Sequence, residues 1–262
     1  MNTSLITGAS SGIGMAFANE LASRKNNLVL VARTEEKLKQ LAQKIREEHK
    51  VKVEIIVKDL TVSTAAFDIF NAMIEKNISI DTLINNAGLG DYGLFSTSER
   101  IKQLEMIQLN VTALVDLTYQ FLPQMIQRGR GNIINISSIA AFQGLPYMAV
   151  YAATKCFVLS FSEALWAENS KAGVKVLAVC PGPTKTQFYE NASFERFSNE
   201  AESSRLDSPL EVVREALNAL DSGVSHVVTG RWENKIISGI PRFLPRESWS
   251  KILEQEFRPN IL

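Results

Sequence analysis

Apolar positions along the chain follow two alternating rhythms. Short, nearly continuous apolar runs occur at SLIT (4–7), LVLVA (28–32), VKVEIIV (51–57), DTLIN (81–85), GNIINIS (131–137), VKVLAVC (174–180) and HVVT (226–229). They lack the polar alternation of a sheet wetted on one side, so they read as strands buried on both faces. Between them, apolar residues recur at three- and four-residue spacing, as in amphipathic helices. Ile13, Phe17 and Leu21 mark one stripe within 12–25. Leu38, Leu41 and Ile45 mark a second, behind Thr34 as N-cap and Glu35 and Glu36 in the first turn. Ser63 predicts the cap of a helix carrying Phe67, Phe70 and Ile74. A long helix is predicted over 98–127 with Pro123 as a candidate kink. Another covers 151–171, and Pro209 after Ser208 starts a third. Buried strands alternating with helices predict an α/β fold, a doubly wound parallel sheet of about seven strands with helices on both faces. Right-handed crossovers then put a ligand at the carboxyl ends of the strands.

Composition narrows this little. No linker and no repeat divides the 262 residues, so a single domain over 1–262 is expected. Two segments break the rhythm, 185–207 and 230–262. Lys+Arg equals Asp+Glu at 28 each, which gives no bias toward nucleic acid or an acidic membrane. No apolar run approaches the ~20 residues of a membrane span. A strand-like run already begins at Ser4, so no cleaved leader is expected. Cys156 and Cys180 lie in apolar stretches and read as reduced core thiols, which suits the cytoplasm. Two histidines and two scattered cysteines suggest no metal site.

TGASSGIG (7–14) joins the first strand to the first helix. Gly8, Gly12 and Gly14 remove side chains where backbone must turn and approach a ligand. Ser10, Ser11 and Ile13 complete a turn whose helix N-terminus offers free N–H groups to a pyrophosphate. The same residues also fit G-x-S-x-G, the nucleophile elbow of serine hydrolases, with Ser10 as nucleophile. That reading lacks an earlier strand to carry an oxyanion hole. Its only candidate bases are His49, ending a charged helix, and His226, with no acidic orienter beside it in sequence. The second strand ends in Ala32-Arg33-Thr34 instead of the carboxylate that pairs with the ribose of NAD. Arg33 can pair with a 2′-phosphate instead, which selects NADP(H).

In YAATK (151–155), Tyr151 and Lys155 stand four apart and share a helix face. A free tyrosine has a pKa near 10, so it donates a proton readily to a nascent alkoxide and makes a poor base. An ammonium beside it would lower that value and open the reverse direction.

Taken together, TGASSGIG, NNAG (85–88), INISS (134–138), YAATK and PGPTKT (181–186) resemble the short-chain dehydrogenase/reductase family, in order and in register. The resemblance implies a Rossmann-type fold and reversible hydride transfer between a nicotinamide cofactor and a carbonyl or alcohol. It implies Tyr151 as acid/base and Lys155 as the group that tunes it and holds the nicotinamide ribose. Ser138 would hydrogen-bond the carbonyl, and strand alternation turns Ser137 the other way. Asn110 would hold a relay water. By the same resemblance Asp59 and Leu60 contact adenine, Asn86, Ala87 and Gly88 flank the adenosine side, and Pro181, Gly182, Thr184 and Thr186 lie beside the nicotinamide.

Substrate choice falls to the irregular segments. Residues 185–207, with Phe188, Tyr189, Phe194 and Phe197, suit a lid over an apolar substrate or ordinary packing; Phe188 is the candidate substrate contact. The apolar and basic run 237–257 suits a cover for the pocket, a subunit contact or a lipid surface. Relatives pair through the helices at 98–127 and 151–171, so a homodimer or homotetramer is implied, with a small-molecule substrate and no nucleic-acid partner. Two other functions stay open: a catalytically silent NADP(H)-binding sensor of the same fold, and a serine hydrolase.

Overall fold

A computed structural model describes residues 1–192 and 206–259. Among them, seven strands form one sheet in the order β3-β2-β1-β4-β5-β6-β7. The strands are β1 (Thr3–Thr7), β2 (Asn27–Ala32), β3 (Val53–Val57), β4 (Thr82–Asn85), β5 (Gly131–Ile136), β6 (Val174–Pro181) and β7 (His226–Thr229). Every adjacent pair is parallel. The order reverses between β1 and β4, and that switch point opens a crevice at the strands' carboxyl ends.

Strand alternation feeds two cores. Ile6, Leu28, Leu30 and Ile84 face α1 (Gly12–Ser23), α2 (Glu35–His49) and, further along the sheet, α8 (Pro209–Ser222). Leu5, Val29, Val31 and Leu83 face α3 (Ala65–Glu75) and α5 (Ala113–Arg128) on the other side. Both faces of the inner strands are dry, which is why those strands read as nearly continuous apolar runs; the edge strands β3 and β7 are only partly buried.

Three expectations change. The predicted helix over 98–127 is α4 (Arg100–Ile107) and α5, joined by a π-turn at Gln108–Thr112. Pro123 lies inside α5, and the interruption falls at buried Asn110 instead, since a π-turn re-aims the side chains it contains. Helix α3 is capped at Thr64, without a side-chain capping bond, and not at Ser63. It buries Ala66, Ile69 and Met73 while Phe67 and Ile74 are exposed. The segment offers two helical stripes one residue apart, and the one starting from small alanines packs closer to the sheet. Cys180 is buried, but Cys156 is exposed beside Phe157 on the outward stripe of α6 (Ala149–Asn169). No helix among the described residues is long and apolar enough to cross a membrane.

The chain closes with α7 (Phe188–Asn191), α9 (Trp232–Gly239) and α10 (Arg246–Phe257). Helix α10 folds back over the carboxyl ends of the strands.

Candidate active site

A cavity of about 1050 Å³ runs along the carboxyl edge of the sheet. At its centre the turn after β1 is shaped by Gly8 (φ +64°) and Gly12 (φ +53°), a region that glycine enters without cost. Gly8, Ser10, Ser11, Gly12 and Ile13 line the cavity. Gly14 does not; a Cβ there would sit 2.4 Å from the Gly8 carbonyl, so its role is to let α1 close on the turn. The loop after β4 is sewn to this turn. Thr7 Oγ1 accepts from the backbone N–H of Asn86 (2.9 Å) and Ala87 (3.0 Å), and Asn86 Nδ2 donates to the Thr7 carbonyl (2.8 Å). Asn86 therefore braces the two loops while Asn86, Ala87 and Gly88 line the cavity.

One end of the cavity is basic. Arg33, Asp59 and Leu60 line it, as the sequence suggests, together with Lys37 and Lys58. Lys37 follows Arg33 by four residues, one turn into the next helix, which is the signal that could have found it. Lys58 pairs with Asp68 at 2.6 Å. Hydrogen bonds from Thr61 and the charge of Arg33 hold the Asp59 carboxyl below its usual range, so it stays anionic beside Arg33. The glycine cradle, the α1 N-terminus and this end of the cavity together fit a dinucleotide.

Toward the other end Ser138, Tyr151 and Lys155 meet. Ser138 follows β5 and lies beside the Tyr151 phenol, where its hydroxyl favours the phenolate. The adjacent Ser137 turns inward and donates to the Lys155 carbonyl at 2.7 Å. Tyr151 and Lys155 stand on the first turns of α6, both buried. Burial raises Tyr151 to about 12 and lowers Lys155 to about 8. The expectation that Lys155 depresses the phenol is not met in the protein alone. Its ammonium donates to the Ile136 carbonyl at 2.9 Å and lies 5.7 Å from the tyrosine ring centre, and desolvation of the buried phenol dominates its shift.

Asn110 does not line the cavity. Its carboxamide accepts from Leu89 N–H (2.8 Å) and donates to the Leu89 carbonyl (2.9 Å) and Thr154 Oγ1 (3.1 Å). These bonds tie the post-β4 loop to α6. Pro181, at the end of β6, and Gly182, Thr184 and Thr186 beyond it line the cavity. A Cβ on Gly12 would come within 2.9 Å of Thr186, so the two distant glycine and threonine segments meet.

The far end is apolar and aromatic. The Phe188 ring lies 5.2 Å from that of Tyr151, and burial pushes the Tyr189 phenol up. Phe194 and Phe197 fall outside the described residues. The opposite wall is α10, whose Trp249, Leu253 and Phe257 line the cavity. Their spacing of four is visible in the sequence, but nothing there says what the stripe faces. Neither His49 nor His226 lines the cavity. His226 does have an acidic partner that sequence order hid, Glu163 at 3.0 Å, but it sits at the amino end of β7, leaving Ser10 without an imidazole base. Among the described residues, no cluster of His, Cys, Asp or Glu could hold a metal ion.

Comparison with known proteins agrees with this geometry. Residues 2–196 match a family model described as short chain dehydrogenase. The chain is 32% identical to human "Inactive hydroxysteroid dehydrogenase-like protein 1", over 98% of this chain and 78% of that protein. It superimposes with a TM-score of 0.79 and 34% identity on a short-chain dehydrogenase from Sphingobium yanoikuyae in complex with NADPH, covering 94% of this chain and 97% of the other. A bulky-bulky ketone specific alcohol dehydrogenase from Comamonas testosteroni gives a TM-score of 0.77 at 32% identity, covering 98% and 92%.

Proposed function

The chain belongs to the short chain dehydrogenase family, and we propose that it is an NADP(H)-dependent oxidoreductase that reduces a bulky apolar ketone to its alcohol. The observation that carries this reading is the convergence of Ser138, Tyr151 and Lys155 in one cavity with a glycine cradle, between a basic end and an apolar end. Gly8, Gly12 and the α1 N-terminus would hold the pyrophosphate, and Arg33 and Lys37 the 2′-phosphate. When bound, NADPH supplies the hydride. Ser138 donates a hydrogen bond to the carbonyl oxygen, polarising it. Tyr151 gives that oxygen its phenolic proton, and Lys155, protonated below about 8, is the neighbouring cation that steadies the buried phenolate. A phenol raised to about 12 is a proton donor at neutral pH, which favours reduction. Asn110 acts through its bonds to Leu89 and Thr154, holding the cavity floor against α6.

The walls built by Phe188, Trp249, Leu253 and Phe257 favour a carbonyl with large hydrocarbon substituents, and the bulky-ketone specificity of the similar Comamonas dehydrogenase points the same way. Exposed Ile101, Leu104 and Ile107 on α4 and Phe157 on α6 supply an apolar face for a homo-oligomer.

A panel of ketones and aldehydes, followed by cofactor absorbance with NADPH and NADH in parallel, tests the reading. Oxidation of NADPH by bulky ketones, ahead of NADH, is expected. Tight NADPH binding with no turnover against the whole panel would replace it with the silent-sensor reading, to which the "inactive" in the human relative's name belongs.

A further inference from the structure

Tyr147 holds a backbone conformation (φ +63°) that bulky L-residues rarely adopt. Among the described residues, the other non-glycine positions of this kind, Lys25, Lys50 and Asn77, follow the ends of helices, where a left-handed residue is the usual stop. Tyr147 instead immediately precedes α6, with Met148 as the N-cap and Tyr151 in the first turn. Strained backbone next to a reacting group persists only where its surroundings hold it.

What holds it is α10. Tyr147 Oη donates to Glu254 Oε1 at 2.5 Å. Arg258 grips the same carboxylate with two bonds, at 3.0 and 2.7 Å. On its backbone side the Tyr147 carbonyl accepts from Gly93 N–H at 2.9 Å. Two more bonds cross between α10 and the catalytic loops: Trp249 Nε1 to Gln143 Oε1 (2.6 Å) and Tyr92 Oη to the Phe257 carbonyl (2.7 Å). The inner face of α10 meanwhile packs in one apolar cluster with Leu145, Met148 and Tyr151. The bonds from Arg258 and Tyr147 hold the Glu254 carboxyl down to about 2, so the knot stays charged at any working pH.

We propose that Glu254 is a positioning residue: by anchoring Tyr147 it fixes the entry to α6, and with it the place of the Tyr151 hydroxyl, while locking α10 over the substrate cavity. The substrate wall and the proton donor are thereby set by one side chain. The catalytic half of this proposal rests on the oxidoreductase reading above; the docking half does not.

The test uses full-length protein in which Trp166 and Trp232 are replaced by Phe, so that Trp249 emission reports whether α10 is seated. Glu254→Ala is expected to shift that emission to the red. With NADPH saturating, kcat should fall about tenfold or more for a short methyl ketone and for a ketone with two large apolar substituents, because a misplaced donor slows every substrate. KM should rise for the large ketone alone. Tyr147→Phe should lower kcat likewise, the double variant should lose little more than either single one, and Glu254→Gln, whose amide oxygen can still accept from Tyr147, should recover most of the turnover. A red shift with kcat unchanged for the short ketone would reduce α10 to a passive wall and overturn the positioning role. Unshifted emission in Glu254→Ala would overturn the latch itself. A wild-type protein that binds NADPH but reduces neither ketone would instead overturn the oxidoreductase reading and the catalytic half with it, and the emission would still judge the docking half.

Discussion

The two ends of the cavity are built in opposite ways. The basic, glycine-lined end comes from short stretches that each follow one strand: 8–13 after β1, Arg33 after β2, Asp59 after β3 and 86–88 after β4. Each functional group is carried within a few residues of a strand end, and the parallel sheet does the assembling. The apolar end depends on bonds that cross great lengths of chain, 106 residues from Trp249 to Gln143, 107 from Tyr147 to Glu254 and 165 from Tyr92 to Phe257. Local chemistry sets the first end and tertiary packing the second. The cofactor end is thus carried by local motifs, while the substrate end is assembled by packing between segments far apart in sequence.

The contrast can be broken end by end. The largest effect is expected from Arg33→Glu at the basic end. Reversing that charge beside a 2′-phosphate should raise the KM for NADPH by about 10²-fold or more while NADH changes little, as steady-state kinetics with both cofactors will read. A matching loss for NADH would show that Arg33 supports the fold instead of choosing the cofactor.

At the apolar end Trp249→Ala should act on the substrate side, raising KM for a ketone with two large substituents by about tenfold and leaving the NADPH dissociation constant unchanged. Weakened NADPH binding in that variant would mean that the two ends are not separable.

Lys155 stands at the seam, and its burial gives the smallest, sharpest signature. Its folded value is near 8 against 10.5 when free, so between those values the unfolded chain binds more protons and stability rises with pH. Tyr151 has the opposite sign. Its folded value near 12 exceeds the free 10.0, so stability falls as pH rises from 10 to 12. The melting temperature should therefore climb by a few degrees above pH 8 and then decline. Lys155→Met should flatten the climb and melt higher than wild type at pH 7, because it removes a desolvated charge. A variant less stable than wild type at pH 7 would show that the bond to Ile136 outweighs the desolvation.

How much of this the sequence discloses follows the same division. Nearly continuous apolar runs locate the seven described strands to within two residues, because the inner strands are dry on both faces and the partly buried edge strands keep apolar residues against their one neighbour. The pairing of Tyr151 with Lys155 is legible because i, i+4 geometry is local. The helix at 98–127 misleads because a π-turn leaves no mark in apolar periodicity, and Pro123 is the louder local signal. Spacing alone predicts a Tyr151 phenol depressed by Lys155, and the sign comes out reversed, since spacing shows proximity while the burial that decides the sign is tertiary. The stripe Trp249, Leu253, Phe257 is readable as a helix face, yet its partner, the cavity, lies a hundred residues upstream.

The central claim is that the phenol of Tyr151 delivers the proton. Tyr151→Phe keeps the ring and its packing and removes only that proton. Measured side by side with wild type, it should bind NADPH with unchanged affinity by cofactor fluorescence and reduce a bulky ketone about 10²–10⁴-fold more slowly. Turnover within about threefold of wild type, with the cofactor still bound, would contradict the account.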